Sequence, residues 1–267
     1  MERVQQVVEK AKVGTATFDV KRPSVNASIN DSINESHKIT PLHEMRYSQT
    51  RTVHCNAKTL LNNRVLCDLQ PEKVISCYNL LRTQVLQTMR NRGWNSLAIV
   101  SPNDGEGKTL TAVNLAIAIA KEVNQTVLLA DYDLQNPQID RYFGFEVERG
   151  ISDYIQFGTP INEILVNPGT ERLVILPGKG SMANSSETLL SPRMVQLTEE
   201  IKSRYPSRII IFDLPPILSK DDAVAFSPYV DAFLLVFEEG RTTREDILYT
   251  SALIKDKPVI GTLLNKV

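Results

Sequence analysis

The sequence of 267 residues is poor in cysteine and histidine, with three of each. Cys55, Cys67 and Cys77 are odd in number and lack C-x-x-C spacing, which argues against a disulfide framework and for reduced thiols in a cytosolic protein. His37, His43 and His54 fall near Cys55 but keep no recognised ligand spacing, so no metal centre is expected from them. Neither sign of charge dominates: the net charge is −1, the sequence pI is near 6.3, and the charged residues, 23% of the chain, are mixed in sign. That balance excludes the basic field of a nucleic-acid binder. Long apolar runs are also missing. Stretches such as Leu115 to Ala120 and Ala232 to Phe237 fall far short of the roughly 20 residues needed to cross a bilayer, and the opening Met-Glu-Arg-Val-Gln-Gln has no apolar core of a secretory signal. The expectation is a cytoplasmic chain without direct membrane insertion, whose contact with a membrane, at the inner face, would run through a partner.

What the sequence does contain is centred on Leu97-Ala-Ile-Val-Ser-Pro-Asn-Asp-Gly-Glu-Gly-Lys-Thr109, an apolar run that stops at a Gly-rich turn and passes at once into a helical pattern. A strand, a loop and a helix N-terminus in that order make a phosphate site. The N–H groups of Asp104, Gly105, Glu106, Gly107, Lys108, Thr109 and Leu110 can surround the anion, the Lys108 ammonium can reach its outer phosphates, and the Thr109 hydroxyl can ligate Mg²⁺. The expected ligand is a nucleoside triphosphate with Mg²⁺, which the resemblance given below narrows to ATP. Pro102 stands where the pattern G-x-x-x-x-G-K-[ST] has its first glycine and supplies no N–H there.

Residues 1–70 are polar and irregular, with a solvated linker over 24–36 and a short amphipathic helix over 1–12 carried by Val4, Val7, Val8 and Ala11. From Pro71 a helix is predicted to Arg92, along one face of which lie Val74, Ile75, Tyr78, Leu81, Val85 and Met89, and Asn91-Arg-Gly-Trp-Asn95 ends it. Apolar runs then recur from Ser96 and at 126–130, 173–176, 209–212, 233–237 and 259–264, separated by helical patterns at 109–123, 191–204 and 242–255. Continuous apolar strands alternating with helices indicate a doubly wound α/β fold, mostly parallel, with helices on both faces and the ligand beyond the carboxyl ends of the strands. Residues 71–267 are expected to form that domain.

Three acids stand at predicted strand ends. Asp131 and Asp133 follow Thr-Val-Leu-Leu-Ala, and Asp213 follows Arg-Ile-Ile-Ile-Phe, so all three should face the phosphate loop. Phosphoryl transfer needs such groups to hold Mg²⁺, directly or through water, and to accept the proton of an attacking hydroxyl.

With these residues in place the chain resembles the bacterial tyrosine kinases of the CpsD/CapB type, cytoplasmic ATPases of capsular and exopolysaccharide synthesis, within the wider MinD/ParA-like P-loop ATPases. The match rests on Ser101-Pro-Asn-Asp-Gly-Glu-Gly-Lys-Thr with Asn114-Leu-Ala, Leu128-Leu-Ala-Asp-Tyr-Asp-Leu-Gln-Asn-Pro137 continuing to Tyr142-Phe-Gly, Gly150-Ile-Ser-Asp-Tyr154, and Ile210-Ile-Phe-Asp-Leu-Pro-Pro216 with Asp222-Ala223. It runs from about Pro71 to Val267. The resemblance implies that Lys108 and Thr109 are Walker A residues and that Asp131 and Asp133 form an Asp-x-Asp motif, the first near Mg²⁺ and the second near the reacting phosphate. It implies that Asp213 holds a magnesium-bound water and that Asn265 lies near the adenine. It also implies a membrane partner of the polysaccharide co-polymerase type and a homo-oligomer.

Three departures qualify these implications. The family commonly follows its second acid with Leu-Arg-Arg-Pro, whereas this chain has Leu134-Gln-Asn-Pro137. The subunit-contact motif Glu-x-x-Arg-x-x-Arg is reduced to Ser76-Cys-Tyr-Asn79-Leu-Leu-Arg82, which puts a ring built on it in doubt. The chain as given stops at Val267, so autophosphorylation on a clustered-tyrosine tail is not expected. A kinase is therefore weighed against a nucleotide-switched regulator without phosphotransfer, although Asn103 occupies the position of the sensing lysine in switch ATPases, and against a scaffold that no longer binds nucleotide.

Overall fold

The computed structural model describes residues 50–204 and 207–267. The amphipathic helix expected over 1–12, the linker at 24–36, His37 and His43 lie outside the described residues. The strands are β1 (Arg51–Thr52), β2 (Ser96–Val100), β3 (Val127–Asp131), β4 (Val166–Asn167), β5 (Leu173–Leu176), β6 (Ile209–Asp213), β7 (Ala232–Glu238) and β8 (Val259–Asn265). The helices are α1 (Ala57–Asn62), α2 (Glu72–Arg92), α3 (Lys108–Ala120), α4 (Ile139–Phe143), α5 (Ile151–Phe157), α6 (Ile161–Ile164), α7 (Ser185–Leu189), α8 (Pro192–Arg204), α9 (Asp222–Phe226) and α10 (Arg244–Leu253).

The strands form one sheet in the order β1-β4-β5-β3-β6-β2-β7-β8, parallel throughout except where β4 runs against β5. Successive strand residues point to opposite faces, and from β4 across to β7 both faces are buried. Leu97, Ile99, Val127, Leu129 and Ile211 pack with Val85 and Met89 of α2 and with Leu115 and Ile119 of α3. Ala98, Leu128, Ala130, Ile210 and Phe212 pack on the other side with Met194, Leu197 and Ile201 of α8 and with Phe226 of α9. Each Leu or Ile taken fully out of water contributes roughly 1.5–3 kcal/mol. These two apolar layers are why the strands read as unbroken hydrophobic runs. The small residues Ala112, Ala116 and Ala120 let α3 lie close on the sheet, where all three are buried.

The boundary expected at residue 70 falls inside folded structure. Val65 and Leu66 are buried in the first of the two layers, and the buried Asn114 of α3 accepts from the Leu66 N–H at 2.8 Å and donates to the Arg64 carbonyl at 3.0 Å. The Asn63 amide reaches the carbonyls of Arg141 and Tyr142 on α4, while β1 adds to the sheet beside β4. Short polar elements of this kind carry too few apolar residues to show a period, so only their contacts mark them as part of the domain. Cys55, Cys67 and Cys77 are free thiols, and among the described residues no helix is long and apolar enough to cross a membrane.

The start of β2, which aims the phosphate loop, is tied to the start of β7 by Asp231. Its Oδ2 accepts from the N–H groups of Asn95 and Ser96 at 3.0 and 2.9 Å and from Ser96 Oγ at 2.7 Å. Burial would raise this carboxyl, but those bonds and the Lys202 charge hold it below its ordinary value. A depressed carboxyl stabilises the fold above its unfolded pKa, and that contribution is lost as pH falls through the folded one. Asp231→Ala is expected to cost about 1–3 kcal/mol in denaturant unfolding at pH 7, with the gap to wild type narrowing below pH 3.8, the ordinary value of the group.

Candidate nucleotide site

The strand order β3-β6-β2 brings three carboxyl ends side by side, and each carries site residues. Asp131 and Asp213 are paired in register on β3 and β6, and Ile99 of β2 faces Asp213 from the other side. Separate stretches of sequence thus deliver Asp131, Asp133, Asp213, Lys108 and Thr109 to one edge, where all five are buried.

The loop turns through two left-handed glycines, Gly105 at φ +79° and Gly107 at φ +97°. The dihedral at Gly107 is one that residues with a Cβ rarely adopt, and a Cβ there would also displace the Asn265 amide. Gly107 then caps α3 with no side-chain acceptor, which leaves the first N–H groups of a 13-residue helix free for an anion. Pro102 adds no N–H, but it and Ser101 brace the loop by accepting the N–H groups of Leu218 and Ile217 at 3.1 and 2.9 Å.

The side chains of Glu106 and Asn265 both bond within and around the loop. The Glu106 carboxylate turns inward, fully buried, and accepts from the Asn103 N–H at 2.9 Å and from Thr242 Oγ1 at 2.6 Å, so only its backbone is available to a phosphate. Asn265, expected near the adenine, has its amide donating to the Glu106 carbonyl at 2.9 Å and so supports the floor of the loop. Asp104 and Gly105 lie exposed at the tip, and Leu110 is half-buried one turn inside α3.

Lys108 is held among the acids. Its Nζ lies 3.2 Å from Asp133 Oδ2 and donates to Thr109 Oγ1 at 3.3 Å. Burial works against its charge, but Asp213 and Asp133 beside it outweigh that and keep the ammonium protonated above its usual range. Asp133 has a second cation that sequence reasoning missed, since Lys220 Nζ stands 3.4 Å from its other oxygen. Lys220 sits in the loop after β6, and no spacing rule singles out a lysine seven residues beyond a strand-end acid; only the packing of that loop against the phosphate loop reveals it.

The remaining acids are undercompensated. Asp131 Oδ2 accepts from the N–H groups of Gln138 and Ile139 at the start of α4, at 2.9 and 3.0 Å, but its Oδ1 is buried without a partner. Both oxygens of Asp213 are buried without a well-formed hydrogen bond, although the Thr109 hydroxyl lies near enough to ease the charge. Burial first, and then the Asp213 charge, push Asp131 well above the ordinary carboxylate range. Burial likewise pushes Asp213 up to about 6, against the pull of Lys108. Orphaned carboxylate oxygens facing each other across two strands fit a divalent cation. Among the described residues no three or more acids, histidines or cysteines converge tightly enough to enclose a metal alone. A cation here would therefore need ligands supplied with it, as phosphate oxygens and waters are. Arg82, retained from the contact motif, donates Nη1 to the Ala118 carbonyl of its own chain at 3.4 Å.

Comparison with known proteins agrees with this arrangement. The family described as AAA domain matches residues 95–231, which hold the loop and all three acids. A protein named tyrosine-protein kinase YwqD, from Bacillus subtilis, is 28% identical over 214 residues, covering 79% of this chain and 89% of the relative. A putative tyrosine-protein kinase EpsB from Ralstonia nicotianae is 29% identical over 76% of this chain, which spans only 26% of that longer relative. The kinase domain of the Escherichia coli tyrosine kinase ETK superposes with a TM-score of 0.68 at 25% identity, over 81% of this chain and 89% of that one. With the doubly wound sheet, the glycine loop at the end of β2 and the acids at the ends of β3 and β6, the chain belongs to the AAA domain family.

Proposed function

We propose that this chain binds Mg-ATP at the N-terminus of α3 and transfers the γ-phosphoryl group to a tyrosine, in a system that makes or exports extracellular polysaccharide. The observation that carries the reading is the uncapped helix N-terminus with the buried Lys108 on one side and the orphaned oxygens of Asp131 and Asp213 on the other. An anion and a cation are both called for, at adjoining points. Bound Mg²⁺ would neutralise charge developing between the outer phosphates and the leaving oxygen. Thr109, Asp131 and Asp213 are the residues to hold it, Lys108 the one to bind the outer phosphates, and Asp133 the one to orient the acceptor hydroxyl and take its proton. The names of the relatives support tyrosine as the acceptor, and the resemblance to the CpsD/CapB-type kinases is what suggests polysaccharide synthesis as the setting. A membrane protein of the co-polymerase type is the proposed partner, holding the chain at the inner face of the membrane.

Gln135 and Asn136 in place of arginines, and an Arg82 bonded within its own chain, favour a second reading, a nucleotide-dependent regulator that transfers nothing. Incubating the protein and its Lys108→Met variant with Mg²⁺ and γ-labelled ATP separates the two. Label on tyrosine that drops at least about a hundredfold in the variant is expected for the kinase. Phosphate released or ATP bound without tyrosine label would instead establish the regulator, and no binding at millimolar ATP would refute both.

A further inference from the structure

We infer that Lys220 is a second triphosphate-binding cation of this site, one that distinguishes ATP from ADP. The inference rests on the nucleotide reading above and goes beyond it in assigning a residue outside the loop and the Asp-x-Asp motif.

Three observations carry it. First, Lys108 and Lys220 grip the same buried carboxylate from opposite sides, Lys108 at Asp133 Oδ2 and Lys220 at Asp133 Oδ1. That carboxylate is the anion on which two cations converge. A γ-phosphate with more charge and more acceptor oxygens, arriving beside Asp133, is the stronger partner for both. Second, the segment after Asp133 offers no cation of its own. Gln135 donates to Ser185 Oγ at 2.8 Å, and the Asn136 N–H turns back on the Asp133 carboxylate at 3.3 Å. Third, Lys220 is placed and free to move. Its loop is held to the phosphate loop through Ile217 and Leu218, yet its side chain keeps 20% of its surface exposed, and its 3.4 Å contact is longer than a well-formed charge-assisted bond. A lysine is a point charge on a flexible stem that can follow an anion over a few ångströms. The loop after β6 thus supplies, from the other flank of the site, the charge that the loop after β3 lacks.

Calorimetric titration with Mg-ADP and with a non-hydrolysable Mg-ATP analogue tests this on the wild type, Lys220→Met and Lys220→Arg. Lys220→Met is expected to weaken the triphosphate by about tenfold or more, the loss of one charge-assisted contact, while ADP binds within about twofold and so reports an intact fold. Lys220→Arg should recover most of the loss. Equal weakening of both nucleotides would overturn the inference in favour of a structural role in the loop, and unchanged affinity for both would overturn it outright. Wild type that binds neither nucleotide would refute the nucleotide reading itself, and the Lys220 assignment with it.

Discussion

Asp213→Asn is expected to make the nucleotide-free protein more stable and its Mg²⁺-dependent nucleotide binding weaker. Asp213 is 1% exposed, with neither oxygen well hydrogen-bonded, and burial lifts its carboxyl to about 6. The sign follows from linkage. Below the ordinary value of 3.8 the acid is neutral in both states and costs nothing, whereas above about 6 it is ionised in both and the folded state carries the whole penalty. Removing the charge should therefore return roughly 2–3 kcal/mol at pH 8, worth about 5–10 °C in melting temperature. The gain should shrink at pH 4.5. The same substitution removes an acceptor from the place where Mg²⁺ would sit, so nucleotide affinity should lose most of its Mg²⁺ dependence. Melting curves in EDTA at the two pH values and titrations with and without Mg²⁺ check both halves. A variant that melts lower than wild type at pH 8 would show that Asp213 is already compensated within the fold.

A candidate site expected to destabilise its own scaffold is also where sequence reasoning is most informative. The rule that buried acids need partners is broken at Asp131 and Asp213, and each stands at the end of an apolar strand where no core requirement would put a charge. The glycines and Lys108 were equally legible, since the loop's left-handed dihedrals and the open N-terminus of α3 depend on residues contiguous in the chain. The doubly wound sheet was readable from strands buried on both faces. The pairings that complete the site were not. Lys220 to Asp133, Thr242 to Glu106 and Asn265 to the Glu106 carbonyl join residues 87, 136 and 159 positions apart. Nothing periodic links such partners, because the sheet order brings them together. The inward turn of Glu106 shares that origin in part, for it follows from Thr242 beyond β7 as well as from the Asn103 N–H within the loop. Residues 50–70 escaped for a related reason: a strand of two residues and a helix of six expose no repeating apolar face, and scattered contacts of Cys55, Leu60, Val65 and Leu66 with the hydrogen bonds of Asn63 and Arg64 tie them to the core.

Asp133→Asn is expected to separate binding from transfer. Asp133 engages both Lys108 and Lys220, at 3.2 and 3.4 Å, so a triphosphate binding beside it must draw those cations away. Asparagine is nearly the same size and keeps an acceptor oxygen but no charge, so the lysines are held less firmly and the competition weakens. Triphosphate affinity should hold or rise by a few fold, since the interaction lost belongs to the unliganded state. Transfer is different, because an amide cannot accept the proton of an attacking hydroxyl. A drop of about 10²–10⁴ in the rate of phosphotransfer is the expected cost of a positioned general base. Binding of a non-hydrolysable analogue and single-turnover transfer from γ-labelled ATP, measured on the same preparation, decide the matter. Transfer within tenfold of wild type would remove Asp133 from the proton path and leave it as the apo-state counter-ion of the two lysines. Lost binding with lost transfer would mean instead that the carboxylate is needed to hold Lys108 and Lys220 within reach of the phosphate.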